Sequence, residues 1–319
     1  MIITVTLNAA IDKTLAVPNF QIGRRHRSTE QRTMAGGKGV NVARALKGLG
    51  EPVIATGFAA GPTGARIREL LDAEHVLHDF VEVAGDSRTN LSIVDPASGE
   101  QTEINERGPQ VTAADLERFT ERLLYLAGGA DFCVIAGSLP PGAEADQYAA
   151  LIAGLRSAGV PTLLDTDGEP MRVGLRAQPS VVAPNVAEAE EAVGNEFTEP
   201  GDLVSALDGL VGMGAEEAIV TTPSGCVALV DDGHGRAHYE ATIEPLATVA
   251  SVGSGDAFLA GFVAARRAGR AVEECLAYGV ACGAQSTQHL GAGTIDGTEA
   301  ARLTSRVEVS RLTAPLRVA

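Results

Sequence analysis

The sequence predicts an α/β protein: a mostly parallel sheet with helices on both faces, and a small second β-sheet beside it. Short β-branched or apolar runs, each bounded by Gly, Pro or Asp, alternate with amphipathic stretches along most of the chain. Strands separated by helices in this way pair in parallel, because each helix serves as the crossover. Two segments, residues 12–35 and 86–107, break the alternation with the polar pattern of exposed antiparallel strands.

Taken in order, residues 2–7 form the first strand and 12–35 the first interruption. A helix over 41–49, a strand over 52–57 and a helix over 64–74 follow. The second interruption runs Thr89-Asn90-Leu91-Ser92-Ile93-Val94 into a turn at Pro96-Ala97-Ser98-Gly99. Residues 113–126 form a helix with Leu116, Phe119, Leu123 and Leu126 on one face, and Thr112 with Asp115 supplies its capping signal. Further strands are expected at 131–136, 161–165, 180–183 and 217–221, and further helices at 146–158, 186–193, 202–213, 255–267 and 272–288. Beyond Thr304 the sequence carries no element signal. One domain over 1–319 is expected, with 12–35 and 86–107 forming a protruding sheet that serves as a lid beside a ligand cleft.

Composition narrows the function. The 319 residues are 45% apolar and 21% charged, a globular balance, and 25 basic against 41 acidic residues give a net charge of −16. That field repels nucleic acid and anionic membrane, and with no Trp and 4% aromatics the stacking platforms of single-strand binders are missing. No segment approaches the ~20 apolar residues of a membrane span, and the amino terminus lacks a signal-peptide pattern. A cytoplasmic protein with neither nucleic-acid nor membrane partners is expected. Cys133, Cys226, Cys275 and Cys282 are scattered without a C-x-x-C pair, so neither a disulfide framework nor a thiolate zinc site is expected. Only Lys13, Lys38 and Lys47 are lysine, which draws attention to any lysine in a special setting.

Two glycine clusters carry chemistry. The first is Ala35-Gly36-Gly37-Lys38-Gly39-Val40-Asn41, where glycines let backbone approach a ligand and the following helix aims its N–H groups at it. A plain turn with a solvent-facing lysine is the alternative. A Walker A loop would need Ser or Thr after Lys38, where Gly39 stands. A Rossmann fingerprint fails at Val42, and again at Phe258 for a start at Gly253. The second cluster is Ser251-Val252-Gly253-Ser254-Gly255-Asp256. A Gly-Ser-Gly turn feeding a helix presents an anion hole for a phosphoryl group, and Asp256 beside it is either a helix cap or the acceptor of a proton from an attacking hydroxyl.

Together, in this order and separation, the clusters resemble the two signatures of the PfkB carbohydrate kinases, the ribokinase-like family: Gly-Gly-x-Gly-x-Asn early and Gly-x-Gly-Asp late. The resemblance runs from Asn8-Ala9-Ala10-Ile11-Asp12 to Gly291. Arg88-Thr89-Asn90, Gly137-Ser138-Leu139-Pro140-Pro141-Gly142 and Asn185-x-x-Glu188 place the chain near the branch that phosphorylates sugar phosphates. This implies a three-layer α/β/α sandwich with a β-sheet lid. It also implies an ATP- and Mg2+-dependent kinase that converts fructose 1-phosphate, tagatose 6-phosphate or fructose 6-phosphate to a bisphosphate.

Residue by residue, the resemblance implies Asp256 as catalytic base with Gly253, Ser254 and Gly255 as the anion hole. Asp12, Gly37, Gly39 and Asn41 would hold the sugar. Lys38 would receive the phosphate already on the substrate, with Arg88 opposite and Ser138 adding a hydrogen bond. Asn185 and Glu188, with Asp165 at a strand end, would order magnesium largely through water. Thr221, Thr222, Gly225, Gly253 and Gly255 would border the nucleotide, as would Asn185. Arg24, Arg25 and Arg27 lie in the lid and add positive potential, and the lid is a candidate homodimer face. The chain departs from the family pattern at Ala183-Pro184-Asn185, at Thr221-Thr222-Pro223-Ser224-Gly225 and around Gln288 to Gly293, all on the nucleotide side. Two other readings stand beside this one: a kinase of an unphosphorylated sugar or nucleoside on the same fold, and a non-catalytic sugar-phosphate sensor.

Overall fold

The computed structural model describes residues 1–312, so the expected domain end at 319 lies outside the described residues. The main sheet has ten strands. Six are joined in parallel around β1 (Ile2–Thr6): β4 (Val53–Ala60) and β5 (Leu77–Val83) on one side, β8 (Phe132–Ala136), β9 (Thr162–Asp165) and β10 (Val181–Val182) on the other. β11 (Glu217–Thr222) continues the parallel run, and β12 (Gly225–Asp231), β13 (Arg236–Thr242) and β14 (Glu308–Leu312) close the edge antiparallel.

Helices cover both faces, as the near-continuous apolar strands require. On β1, Ile2 joins the core under α1 (Lys38–Gly48), α2 (Gly61–Ala73), α8 (Ser254–Arg267) and α9 (Val272–Ser286). Its neighbours Ile3 and Val5 point to the opposite core, under α3 (Ala113–Ala127) and α4 (Gln147–Ser157). Three further helices, α5 (Gly168–Leu175), α6 (Val186–Val193) and α7 (Pro200–Gly212), extend that second layer over β10 to β12. Phe119 and Leu123 of α3 are buried and Leu116 and Leu126 pack beside them, and Thr112 with Asp115 forms a reciprocal capping box.

The small sheet has the order β3-β2-β6-β7, from β2 (Ala10–Ala16), β3 (Glu30–Gly36), β6 (Arg88–Val94) and β7 (Gln101–Asn105). Its two hairpins are antiparallel, but β2 and β6 pair in parallel, with Asp12 opposite Asn90. Each of the two segments thus folds locally as the expected antiparallel pair, and the parallel join between them, which the sequence pattern did not specify, sets the hairpins edge to edge.

Several elements escaped the sequence pattern. They are α5, with Gly168, Pro170 and Gly174 in eight residues; the edge strands β5 and β14, with β12 and β13 inside β14; α10 (Gly297–Leu303); and a 3-10 turn at Thr304–Arg306. Two helix starts matter more. The first glycine helix begins at Lys38 rather than 41, and the last glycine helix at Ser254 rather than 255, so the reactive residues of both clusters stand in first helical turns.

Candidate active site

Strand order reverses at β1: the chain lays β4 and β5 on one side, then returns with β8 and β9 on the other. An open α/β sheet opens its crevice at the carboxyl ends beside such a reversal. A cavity of about 900 Å³ lies there, roofed by the small sheet. Asp12, Arg88 and Asn90 line the roof, Lys38, Asn41 and Asp256 the floor, and Asp165, Asn185, Glu188, Thr221, Thr222 and Gly225 the far wall.

Asp256 occupies the third residue of α8 and is 7% exposed. Gly253 caps the helix at a φ of 82°, a left-handed turn that glycine adopts without strain. The Ser254 amide folds back onto the Ser251 carbonyl at 3.2 Å, whereas those of Gly255 and Asp256 have no acceptor among the described residues. Two unpaired first-turn N–H groups at the positive end of a helix form an anion site in which Ser254 does not join. Gly255 faces this space openly: a Cβ there would meet nothing within 4 Å. Burial first, and the Asp165 carboxylate second, push the Asp256 carboxyl up to about 7 against the pull of Lys38 and Asn41.

Asn41 donates from Nδ2 to Asp256 Oδ2 at 2.9 Å and accepts at Oδ1 from Arg44 at 3.1 Å. Only one amide hydrogen then remains for a substrate hydroxyl. Asp12 accepts from Asn90 Nδ2 at 2.9 Å, and burial raises its carboxyl above the usual range. Gly37 lines the cavity at a φ of 104°.

Lys38 is placed differently from the expectation. Its ammonium pairs with Asp165 at 3.0 Å and Glu188 at 2.9 Å, on the wall away from Arg88. Burial opposes the charge, but the two carboxylates more than reverse that and hold Lys38 protonated. Burial also raises Asp165, against the opposing pull of Lys38. Arg88 donates to the Asn8 carbonyl at 3.0 Å and has no carboxylate partner among the described residues. It stands between the main cavity and a neighbouring, more open pocket of about 650 Å³. Ser138 lines only that second pocket, so it is not brought to the floor of the main cavity. Gly39 is outside the cavity lining as well: it is buried where a Cβ would come within 2.5 Å of the Val5 carbonyl. Arg24, Arg25 and Arg27 are exposed on the connection between β2 and β3.

Asn185 lines the cavity, but its side chain caps α6 by accepting from the Glu188 amide at 3.0 Å while Glu188 accepts from the Asn185 amide at 2.9 Å. For magnesium this leaves Asp165 and Glu188 and no cluster of three or more His, Cys, Asp or Glu among the described residues. Magnesium keeps several waters and takes one or two carboxylates, so this donor set fits it through water and fits no all-protein cage. Two contributors carried no role in the sequence reading: Asn90, opposite Asp12, and Arg44, one turn after Asn41. The i, i+3 spacing of Asn41 and Arg44 on one helix face was the available signal.

Residues 5–299 match the pfkB family of carbohydrate kinases. A 1-phosphofructokinase from Borreliella burgdorferi is 33% identical over 89% of this chain and 90% of its own length. A tagatose-6-phosphate kinase from Staphylococcus epidermidis is 31% identical over 97% of this chain and 99% of its own. The crystal structure of phosphofructokinase-2 from Escherichia coli in complex with fructose-6-phosphate superposes with a TM-score of 0.86 at 28% identity, covering 95% of this chain and 98% of that one. Among the described residues, no helix is long and apolar enough to cross a membrane. With the fold, the two glycine loops and these matches in agreement along the chain, it belongs to the pfkB family of carbohydrate kinases and is a phosphotransferase.

Proposed function

We propose that the chain transfers the γ-phosphoryl group of ATP to a hydroxyl of a phosphorylated ketohexose, giving a bisphosphate. The carrying observation is Asp256 beside the two unpaired amides of Gly255 and Asp256, in the same cavity that Asp12 and Asn90 line. The acceptor hydroxyl lies between Asp12 and Asp256. Asp256 takes its proton as the new O–P bond forms and the bond from the γ-phosphorus to the bridging oxygen of ATP breaks, releasing ADP, and the α8 amides receive the oxygens of the moving group. Lys38, held by Asp165 and Glu188, keeps a fixed positive charge beside the transfer path. Magnesium, when bound, supplies charge neutralisation along the phosphates, with Asp165 and Glu188 holding its waters. Thr221, Thr222 and Gly225 border the nucleotide on the far wall.

The phosphate already on the acceptor falls to Arg88 rather than to Lys38. Lys38 and Arg44 are ion-paired, whereas Lys13, Arg32 and Arg88 line the cavity with no carboxylate at ion-pair distance among the described residues, and burial lowers the pKa of Arg32 and Arg88, opposed at Arg88 by the more distant Asp12 carboxylate. A buried guanidinium with no carboxylate in direct contact favours an incoming dianion, and its planar fork matches phosphate better than the Lys13 ammonium does. The small sheet acts as the lid, its outer face with exposed Ile104 is the homodimer contact, and the enzyme works in the cytoplasm. The named kinases that the chain resembles support the same substrate class.

The test is a coupled ADP-release assay across fructose 1-phosphate, fructose 6-phosphate, tagatose 6-phosphate, unphosphorylated fructose and ribose, and a nucleoside. One phosphosugar should exceed every neutral acceptor in kcat/KM by roughly 100-fold, the worth of one or two charge-assisted hydrogen bonds. Preference for a neutral acceptor favours the rival kinase, and no acceptor-dependent ADP release from folded protein favours the sensor.

A further inference from the structure

A continuous string of hydrogen bonds runs from the end of α2 to the Asp256 carboxylate. Glu74 accepts from Arg44 Nε at 2.6 Å, Arg44 donates to Asn41 Oδ1 at 3.1 Å, and Asn41 Nδ2 donates to Asp256 Oδ2 at 2.9 Å. A second guanidinium bond reaches Glu74 at 3.3 Å, and the remaining ones reach the carbonyls of Ala35, at the end of β3, and of Ala292, whose side chain lies against Gly253. One buried side chain thus touches the end of the small sheet, the loop behind the anion site and the neighbour of Asp256.

A guanidinium donates and never accepts. The atom of the Asn41 amide that faces Arg44 is therefore its oxygen, and the nitrogen must face Asp256. Without Arg44 the two ends of the amide have nothing to tell them apart on that side, and a flipped amide would set its carbonyl oxygen against the carboxylate.

We propose that Arg44 is a positioning residue for phosphoryl transfer: by locking the Asn41 amide, it keeps Asp256 Oδ2 occupied and leaves Oδ1 to accept the proton of the acceptor hydroxyl. The inference rests on Asp256 being the base, as proposed above. The groups that face Asp256 are Lys38 and Asn41 from α1, Asp165 from β9 and Asp12 from β2. Of these only Asn41 reverses its hydrogen-bonding sense when Arg44 is lost. A carbonyl turned toward Asp256 favours the protonated carboxyl, which can donate to it, so the pKa of the base moves up.

The experiment compares the parent enzyme with Arg44→Met and Arg44→Lys, using the phosphosugar that the acceptor panel identifies and following kcat, both KM values and the acid limb of kcat/KM. Arg44→Met should lower kcat roughly 10- to 100-fold, as misplacement of a reacting group does. It should move the acid limb up by about one unit and leave the ATP KM within about twofold. Arg44→Lys keeps a cation but has one nitrogen for four acceptors, so it should fall between parent and Met variant on both measures. Folding is checked by circular dichroism and thermal midpoint. If the Met variant does not fold, the Lys variant alone carries the reading. An unmoved acid limb with kcat within about twofold of the parent, in every variant that folds, overturns the role of Arg44. An inactive parent overturns the proposed kinase instead.

Discussion

The two glycine loops read alike in sequence and differ in what their missing side chains make room for. In the first loop the room is taken by the protein itself: a Cβ at Gly36 would fall 2.0 Å from the Asp12 carboxylate, and one at Gly39 would fall 2.5 Å from the Val5 carbonyl. In the second, Gly253 needs its left-handed φ and would strike Ala292 at 2.6 Å, but Gly255 opens onto empty space. The first loop draws α1 down onto β1, which projects Lys38 and Asn41 into the cavity. The second leaves a gap over two free amides, which is where a ligand fits.

The largest effect that would break this contrast lies at Asp256. Asp256→Asn should lower kcat by roughly 10³-fold or more while ATP binding by calorimetry stays near that of the parent. Near-native turnover would remove the second loop from the chemistry. The same change should stabilise the fold. A carboxyl whose folded pKa is raised to about 7 contributes stability that is fully present below its unfolded value and lost as pH rises through 7. Asn carries no charge to desolvate, so the gain in thermal midpoint should be larger at pH 8 than at pH 5. A gain that shrinks with pH would contradict burial as the cause.

The glycines come next. Gly39→Ala should cost roughly 1–3 kcal/mol in urea unfolding, because a methyl must be forced against β1. Gly255→Ala, in a first helical turn with open space, should unfold at or slightly above the parent midpoint, since Ala is favoured over Gly in a helix by up to ~1 kcal/mol. Its methyl would instead crowd the anion site and lower kcat roughly 10-fold. Equal stability losses at the two positions would erase the distinction between the loops.

Much of this was legible in the sequence. Periodicity located the central strands, and the capping pair Thr112 and Asp115 marked the start of α3. The glycine motifs located Asp256 and Asn41, and the family resemblance pointed to Asp12. Pairing partners were harder to read. Lys38 was visible as a rare lysine in a glycine loop, but Asp165 and Glu188, far along the chain, claim its charge. Asn41 was visible as a hydroxyl ligand, yet Arg44 and Asp256 take most of its hydrogen-bonding capacity. Ser138 looked close to the phosphate because of the motif around it, yet it lines only the neighbouring pocket, together with Pro140 and Pro141. Sequence spacing reports which residues share a helix face, as it does for Asn41 and Arg44. It does not report which distant strand end supplies the counter-charge.

The most direct measurement is the pH dependence of kcat and kcat/KM for the preferred phosphosugar. Asp256 as base requires activity to rise with pH through one ionisation near 7, about a unit above the second ionisation of the sugar phosphate itself. The limb near 7 should appear in kcat, where the acceptor is already bound, as well as in kcat/KM. A kcat that stays flat from about pH 5.5 to 8 while chemistry limits turnover would contradict Asp256 as the group that takes the proton.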